Sequence, residues 1–384
     1  MSKKKIAVLI DWYLPGTKAG GPVRSVYSLL QLLKNDFEFY LITTNQDLGS
    51  TNCYEAITPD TFVTKEEVHY YYFSKNKLDQ KTILQVLNTI EPDLVYTNSF
   101  WSFPFSISIV HLKKKNLIKA PVLLAPRGML GKGALGLKSF KKQLFLFFAK
   151  TLGWYDHIIF HATQHQEEAD ILSKFRSARI CVAPNINEAA VIENRSQKTA
   201  GHLKLFFLSR VAQVKNLHMA LELLRTIPSE YTISYAIFGN IESQDYWQEC
   251  QNLIKQLPQN VSVVYKGELP FHAVQETIRE YQFLFLPTLN ENFGHSIVES
   301  LLCGCPAIIS DQTPWNDLEK NGAGFAIALH DKQRFTEALI RSARLNQEEF
   351  QKTSLSASDY IRKKIDVPAI HQHYKTLFND CIKN

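Results

Sequence analysis

The sequence has no long hydrophobic segment. No run in the 384 residues approaches the roughly 20 apolar residues that a membrane-spanning helix needs. The apolar run that ends before Asp11 is too short for the central region of a signal peptide. We therefore expect a cytoplasmic protein that is neither secreted nor embedded in a bilayer.

Cysteine is scarce and scattered along the chain. The one close pair, Cys303 and Cys305, falls where a predicted helix gives way to a strand, and no second pair supplies the spacing of a zinc site. We expect reduced thiols rather than disulfides or metal ligands. The six cysteines are Cys53, Cys181, Cys250, Cys303, Cys305 and Cys381.

Acidic residues are missing from one stretch. Between Trp101 and Lys150 there are ten basic residues and no Asp or Glu. Basic residues near an anionic membrane contribute on the order of 1 kcal/mol each, and the adjacent LFLFFAK could place aromatic rings at the interface. An anionic membrane surface bound through Lys113 to Lys150 and a solvated basic face both fit the pattern. Nucleic acid is not expected, because no recognised motif accompanies the charge. The ten residues are Lys113, Lys114, Lys115, Lys119, Arg127, Lys132, Lys138, Lys141, Lys142 and Lys150.

Short apolar runs alternate with helical periodicity along the whole chain. Val23, Val26, Leu30 and Leu33, for example, form one apolar stripe after Pro22. Strand, helix and strand in repetition predict parallel sheets covered by helices, and the length and 45% hydrophobic content suit two domains. The predicted strands are KIAVLI, FEFYLITT, DLVYTNS, APVLLAPRG, HIIFHAT and RICVAPN, and then LKLFFLSR, ISYAIFG, VSVVYKG, QFLFLPT and PAIISD.

A polar stretch divides the two series of runs. ENRSQKTAGH, residues 193–202, lacks periodicity and is the predicted linker. It separates an N-terminal domain, residues 1–192, from a C-terminal domain, residues 203–366. A cleft between two domains is the usual place for a site.

Loops at the carboxyl ends of parallel strands carry the candidate site residues. Gly20 and Gly21 precede a helix start marked by Pro22, where backbone can approach a phosphate, although adjacent glycines are often just a turn. Arg210 and Lys215 flank a later connection and suit a diphosphate, although solvated loop cations would look the same. Asn216, which follows, can cap the next helix.

The stretch ENFGHSIVES contains two glutamates. Ser296 and Glu299 have the spacing of a capping box, so Ser296 is expected to open a helix. Glu291 lies outside that box, in the loop before the helix. A carboxylate for sugar hydroxyls near two cations for phosphates describes a nucleotide-sugar site.

These residues resemble a known family. LSRVAQVKN, IFGN, YKGELP and above all LPTLNENFGHSIVESLLCGCPAIISD resemble the retaining group 1 glycosyltransferases of family four, as do AGGPVRSV, PDLVYTNS, HATQHQEE and APNI in the first half. The resemblance implies the GT-B fold: two doubly wound, Rossmann-like α/β domains whose parallel sheets face each other across a central cleft. It also implies that residues 367–384 form a helix that crosses back to the N-terminal domain.

The resemblance implies roles for the candidate residues. Arg210 and Lys215 would bind the donor diphosphate, Glu291 would hold hydroxyls of the transferred sugar, and Glu299 would hold the ribose. Gly20 and Gly21 would face the diphosphate from the other domain. Backbone groups would contact sugar and phosphates around Phe293, Gly294, His295 and Ser296.

The implied chemistry needs neither a metal nor a cofactor. Cleavage of the anomeric bond builds negative charge on the diphosphate and positive charge on the sugar ring, so fixed cations and a carboxylate favour the transition state. The sequence has no D-x-D motif, and the pair of His161 and His165 lacks a third ligand. The resemblance also implies retention of the anomeric configuration.

One position departs from the family pattern. Where many members have a histidine after the fourth strand, this sequence reads APRGML, with Arg127. Arginine cannot act as a base at neutral pH, so Arg127 would bind phosphate or an acidic acceptor. PRGM and the later TPW also resemble bacterial surface-polysaccharide enzymes. Asn98 and His161 are predicted near the same acceptor site, with structural hydrogen bonding as the alternative.

The first functional hypothesis is a glycosyltransferase on the inner face of the cytoplasmic membrane. It would transfer a sugar from a nucleoside diphosphate to a lipid-linked or saccharide acceptor, in surface polysaccharide, lipopolysaccharide or capsule assembly. The alternatives are another GT-B enzyme, such as an epimerase or phosphorylase, and a catalytically silent nucleotide-sugar-binding scaffold. A nicotinamide oxidoreductase is disfavoured, because the dinucleotide glycine motif is absent.

Overall fold

Two compact units make up the chain. One comprises Met1–Glu188 together with Val367–Asn384, and the other comprises Ala189–Asp366. The structure is a computed structural model and describes residues 3–16, 18–131, 139–185 and 193–383. Each unit contains a largely parallel sheet with helices between most successive strands, so the predicted doubly wound α/β class is confirmed.

The sheet of the first unit has the strand order β3-β4-β2-β1-β5-β6-β7-β8. Its neighbouring strands pair in parallel, except β3 with β4, which form an antiparallel edge. β1 and β5 at its centre are almost entirely buried, as a sheet covered on both faces requires. The strands are β1 Lys4–Ile10, β2 Phe37–Thr44, β3 Phe62–Lys65, β4 Val68–Phe73, β5 Leu94–Asn98, β6 Val122–Ala125, β7 Ile158–Ala162 and β8 Arg179–Val182.

The first helix of the first unit has the apolar periodicity that the sequence predicted. The stripe after Pro22 is the buried face of α1, Gly21–Leu33. The last helix, α12 (Val367–Lys383), belongs to this unit, where Phe378 packs against Phe37 and Tyr96. The others are α2 Gln80–Ile90, α3 Ser108–Lys114, α4 Ser139–Thr151 and α5 His165–Lys174.

The sheet of the second unit has the order β11-β10-β9-β12-β13-β14, and its pairs are parallel. Its strands are β9 His202–Leu208, β10 Thr232–Phe238, β11 Val261–Gly267, β12 Phe283–Leu286, β13 Ala307–Ser310 and β14 Gly324–Ile327. The helices are α6 Leu217–Leu224, α7 Gln244–Ile254, α8 Val274–Ile278, α9 His295–Leu302, α10 Lys332–Arg344 and α11 Gln347–Lys364.

The predicted linker is packed into the second unit. Asn194 donates a hydrogen bond to the carbonyl oxygen of Tyr281 at 2.9 Å. The buried Lys198 ammonium donates to three carbonyl oxygens, those of Thr199, His202 and Ala343. Residues 193–202 therefore lie against the core of that unit instead of running free. The preceding residues 186–192 are outside the described part of the chain.

Each apolar run that we read as a strand forms one, but three strands had no such signal. β3 and β4 form a hairpin whose residues Phe62–Lys65 are largely exposed, so hydrophobicity does not mark it. β14 is only four residues long and begins at Gly324. A Cβ on Gly324 would lie 2.0 Å from the carbonyl oxygen of Ala307, so close backbone packing explains this glycine in a strand.

Candidate functional site

The order of the second sheet reverses between β9 and β12. Strands β9, β10 and β11 succeed one another in one direction, and β12, β13 and β14 in the other. The loops after β9 and β12 therefore diverge, and a crevice opens between them at the carboxyl ends of the strands. These two loops carry Arg210, Lys215 and Glu291.

Lys215 and Glu291 meet across this crevice. The Lys215 ammonium donates to Oε1 of Glu291 at 2.5 Å, and the two side chains are only 12% and 14% exposed. The loop after β12 is fixed by its backbone, because the Leu289 amide donates to the Val214 carbonyl at 2.8 Å and the Glu291 amide to that of Gln312 at 2.9 Å. A carboxylate and an ammonium are thus held where a ligand at the strand ends would lie.

Arg210 lies in the same loop as Lys215 but has another partner. Its guanidinium pairs with Glu242, from the loop after β10, and both side chains are substantially exposed at 39% and 50%. Sequence reasoning missed Glu242, because nothing in the spacing connects two residues of different loops. An exposed pair exchanges readily with solvent, so Arg210 can take an anionic ligand in place of Glu242.

The glycine of the IFGN motif, Gly239, is required by close backbone packing. A Cβ there would lie 1.9 Å from the carbonyl oxygen of Ser209, next to Arg210, and the residue has φ 137°. Only glycine lets the end of β10 approach the loop after β9 so closely. Gly239 therefore positions the backbone that carries Arg210.

The predicted capping box is wrong. Helix α9 begins at His295, its N-cap is Gly294 in the left-handed conformation with φ 78°, and no described side chain caps it. Ser296 is consequently the second residue of the helix. Glycine replaces the serine because the chain must turn at this point, and the indole nitrogen of Trp315 fixes the turn by donating to the Phe293 carbonyl at 2.6 Å.

The start of α9 is therefore a helix N-terminus that follows Glu291 closely in the chain and has no side-chain cap. A helix N-terminus carries partial positive charge and suits the phosphates of a ligand. Further along α9, Glu299 is only 5% exposed and Ser296 is 9% exposed. Ser296 and Glu299 both lie on α9, the helix that begins at the crevice.

Asn216 does not cap α6 with its side chain. It occupies the N-cap position in the left-handed conformation, φ 59°, and its amide nitrogen donates to the Pro287 carbonyl at 2.9 Å. The side chain therefore ties the loop after β9 to the end of β12. This bond holds the two walls of the crevice together.

In the first unit, Gly20 and Gly21 lie at the start of α1. Gly20 is the N-cap with φ 67° and ψ −128°, a conformation that favours glycine, and a Cβ there would meet no atom within 4 Å. Gly21 and Pro22 form the first turn. Gly20 thus gives an open helix N-terminus after β1.

Arg127 is held in a network of neutral oxygens. It has φ 56°, and its guanidinium donates four hydrogen bonds: two to Oδ1 of Asn98 at 3.1 and 2.6 Å, one to Oδ1 of Asn185 at 2.6 Å and one to the Tyr96 hydroxyl at 3.0 Å. The predicted neighbours Arg127 and Asn98 are therefore in contact. Arg127 is turned into this network and does not contribute to a solvated basic face.

His161 completes the same network from β7. Its Nδ1 bonds the Tyr96 hydroxyl at 2.7 Å, and its Nε2 bonds the Ala183 carbonyl at 2.9 Å. The ring is fully buried, and burial lowers the pKa of His161 to about 3. These contacts are the structural hydrogen bonding considered as the alternative. His165 lies apart on α5, where it pairs with Glu168.

Asp11 is a candidate that the sequence did not single out. The first sheet reverses its order between β1 and β5, and Asp11 follows β1 while Ser102 follows β5. The Ser102 hydroxyl donates to Oδ1 of Asp11 at 2.6 Å. Burial raises the pKa of Asp11 to about 6, although the bond from Ser102 acts in the opposite direction. A carboxyl group with a raised pKa thus lies where the first sheet reverses its strand order.

Two further observations concern metals and membranes. Within the described ranges, no group of three or more His, Cys, Asp or Glu side chains is placed to hold a metal ion. None of the described helices combines the length and the apolar character needed to span a bilayer.

The second unit matches a family model. Residues 190–354 match the model described as glycosyl transferases group 1. No curated protein sequence matches the chain significantly.

Solved structures match the whole chain. HepE from Anabaena, in complex with UDP and glucose, aligns with a TM-score of 0.68 at 16% identity over 98% of this chain and 100% of that one. Sucrose-phosphate synthase from Thermosynechococcus elongatus gives 0.70 at 14% identity, over 98% and 99%. A point mutant of TarM from S. aureus, with UDP, fondaparinux and α-GlcNAc-glycerol, gives 0.68 at 12% identity, over 98% and 100%. The fold is GT-B.

Proposed function

We propose that the protein is a retaining, metal-independent glycosyltransferase that uses a nucleoside-diphosphate sugar. The observation that carries the proposal is the Lys215–Glu291 pair at the switch point of the second sheet, in the unit that matches the group 1 glycosyltransferases. The solved neighbours whose descriptions mention UDP support a nucleotide donor of this general kind.

The donor would bind along the crevice between the loops after β9 and β12. Arg210 exchanges Glu242 for the diphosphate, and Lys215 and the start of α9 supply further positive charge. Glu291 accepts hydrogen bonds from sugar hydroxyls, and Glu299 serves the ribose. As the anomeric bond breaks, the cations stabilise the departing diphosphate and Glu291 stabilises the developing charge on the sugar. These charges replace the metal ion that such a departure otherwise needs.

The acceptor would bind to the first unit. Gly20 leaves open space at the start of α1, where Gly21 is the first helical residue, and Asp11 presents a carboxyl group at the same edge of the sheet. Arg127 and Asn98 shape this edge through their network. We propose that Asp11 accepts a hydrogen bond from the acceptor hydroxyl, and that the acceptor is a saccharide, lipid-linked in the case of surface-polysaccharide assembly.

A lipid-linked acceptor would require contact with a membrane, and α4 provides a suitable face. Phe140, Leu144, Phe147 and Phe148 lie one or two helical turns apart and are exposed by 77%, 46%, 64% and 50%. By helical periodicity Lys141 and Lys150 flank this stripe on opposite sides. An exposed aromatic face bordered by lysines fits the interface of an anionic bilayer. Lys132 and Lys138 of the basic stretch lie outside the described residues.

The proposal is tested by donor turnover in the presence of a chelator. We would incubate the protein with UDP-, GDP-, ADP- and TDP-sugars, with a CMP-sugar as a control that lacks the diphosphate. Nucleotide release would be measured, and proton NMR would follow the anomeric configuration of the sugar before it equilibrates. A saccharide acceptor is added in parallel, and water serves as the acceptor where none is present. We expect turnover of one diphosphate donor with retention.

Each other outcome contradicts a defined part of the proposal. Binding without turnover would indicate the silent scaffold, and inversion would exclude retention. Turnover that requires added divalent cation would exclude metal independence. Failure of every donor to bind would remove the proposed site.

A further inference from the structure

Two cysteines distant in sequence are in hydrogen-bonding contact in the first unit. Cys181 lies on the edge strand β8, and Cys381 lies near the end of α12. Tyr374, seven residues before Cys381 and hence on the same helix face, donates to the Pro184 carbonyl at 2.9 Å. The face of α12 that carries Tyr374 and Cys381 is therefore the face that lies along β8 and the residues after it.

The two thiols have complementary environments. Cys181 is partly exposed, whereas Cys381 is only 2% exposed. The hydrogen bond from Cys381 lowers the pKa of Cys181 to about 7, and the nearby Arg179 acts in the same direction. The same bond raises the pKa of Cys381. An accessible thiolate beside a buried thiol is the arrangement of an attacking and a resolving cysteine.

We propose that Cys181 and Cys381 form an intramolecular disulfide when the protein is exposed to a peroxide. The Cys181 thiolate attacks one peroxide oxygen, the O–O bond breaks and, with one proton, water leaves, so that Cys181 becomes a sulfenic acid. The sulfur of Cys381 then attacks the sulfur of Cys181, and the hydroxyl leaves as a second water with the proton of Cys381. Two thiols are oxidised and one peroxide is reduced to two waters.

The disulfide would fix α12 covalently to the first unit. In the reduced protein the helix is held by packing of Phe378, by a hydrogen bond between His371 and Asp36, and by an ion pair of Lys375 with Asp36. Because residues 181 and 381 are far apart in sequence, the bridge closes a loop of roughly 200 residues, the kind that restricts the unfolded chain most. Oxidation therefore stabilises the helix whose Tyr374 hydroxyl lies 3.3 Å from Nε2 of His161, a member of the Arg127 network.

The test uses the full-length protein and does not depend on the proposed enzymatic activity. Reduced protein, freed of reductant, is treated with equimolar hydrogen peroxide, alkylated, and digested without reduction. Before alkylation, we expect the intact mass of the oxidised protein to be lower than that of the reduced protein by two hydrogens. After digestion, we expect one cross-linked peptide pair containing Cys181 and Cys381, and four alkylated cysteines. The melting temperature rises by several degrees and returns on reduction. Sulfinic acid at Cys181 without a cross-link, or bridges to other cysteines, would overturn the proposal.

Variants separate the two roles. Cys381→Ser is expected to abolish the bridge and leave a sulfenic acid at Cys181 that dimedone traps, whereas Cys181→Ser leaves neither product. Cys53→Ser, at the exposed cysteine, serves as the matched control and should cross-link like the wild type. Cross-linking in this control at a rate reduced more than tenfold would indicate that Cys53, and not Cys181, meets the peroxide. Mapping of the wild-type bridge needs no variant, so a misfolded Cys381→Ser protein does not weaken the test.

Discussion

The ion pairs of Lys215 with Glu291 and of Arg210 with Glu242 differ in burial, and this difference decides what each contributes. The first pair is mostly shielded from water, so its charges are fixed before any ligand arrives. Removing one partner of such a pair leaves the other charge without compensation. The second pair is exposed and worth little by itself, which leaves Arg210 available to a ligand.

Replacing Glu291 tests its proposed contact with the transferred sugar. We expect Glu291→Gln to lower the turnover number by roughly two to three powers of ten, the scale for one lost transition-state contact. Glu249→Gln, on the exposed face of α7, is the control and should change turnover little. Steady-state kinetics with the same donor for each protein measure the turnover numbers of both variants. Turnover of Glu291→Gln within a few-fold of the wild type would exclude the residue from the site.

The raised pKa of Asp11 predicts a dependence of stability on pH. Because folding raises the pKa from 3.8 to about 6, the fold favours the protonated carboxyl. The resulting stabilisation is complete below about pH 4 and is lost as the pH rises through 6. Asp11→Asn, which can still accept from Ser102, avoids the buried charge. We expect it to be more stable than the wild type at pH 8 by at most about 3 kcal/mol, with no such gain at pH 4.

Denaturant unfolding at the two pH values measures this difference. Asp93→Asn is the matched control, because Asp93 lies at the opposite end of the same strands and its ion pair with Lys4 keeps the pKa low. Its variant should lose stability at pH 8. An Asp11→Asn protein less stable than the wild type at pH 8 would contradict the account.

Single residues show what the sequence could and could not indicate about the candidate site. Lys215 and Glu291 were both named from loop positions and family resemblance; the structure brings them into contact, and their roles stay predictions. Glu242, Asn185 and Asp11 were missed. Their roles come from contacts between loops that are distant in sequence, and neither spacing nor composition encodes those contacts.

Among the elements, the turn at the end of β10 is sensitive to a single methyl group. Gly239→Ala places a Cβ against the Ser209 carbonyl, whereas Gly20→Ala meets open space and only strains the backbone. We expect the first to cost at least about 3 kcal/mol of unfolding free energy and the second roughly 1 kcal/mol. Chemical denaturation of the two variants measures both. Equal costs would show that the β10 turn is free to relax.

Helix α4 is predicted to carry the membrane contact. Phe147→Ser with Phe148→Ser should weaken binding to vesicles that contain phosphatidylglycerol by at least tenfold, because the aromatic rings can no longer enter the interface. Val63→Ser, at an exposed apolar residue of β3, is the control. Sedimentation with vesicles measures the bound fraction. Binding of the double variant equal to that of the wild type would favour a solvated face on α4.

The accuracy of the element predictions follows from how strongly burial marks each element. Buried runs such as β1 and β5 are continuous in sequence and were found. The β3–β4 hairpin is exposed along one strand and was not. The capping box at Ser296 failed for another reason: its spacing was correct, but the left-handed turn at Gly294 places the N-cap of α9 two residues earlier.

At the scale of the whole molecule, the two doubly wound sheets share one topological feature. Each reverses its strand order once, between β1 and β5 and between β9 and β12. Candidate residues lie at both reversals: Asp11 in the first unit, and Lys215 with Glu291 in the second. The alternation of runs in the sequence predicted both sheets, whereas the reversals depend on strand pairing, which the alternation does not reveal and which only the family resemblance implied.

The most direct test of the account is calorimetric titration of the nucleoside-diphosphate donor, without metal, into three proteins. We expect the wild type to bind, Arg210→Ala to bind at least tenfold more weakly, and Glu242→Gln to bind equally or more tightly, because it lacks the carboxylate that competes for Arg210. Unchanged affinity in Arg210→Ala, or a loss in Glu242→Gln as large as that in Arg210→Ala, would show that the diphosphate does not bind in the crevice between β9 and β12.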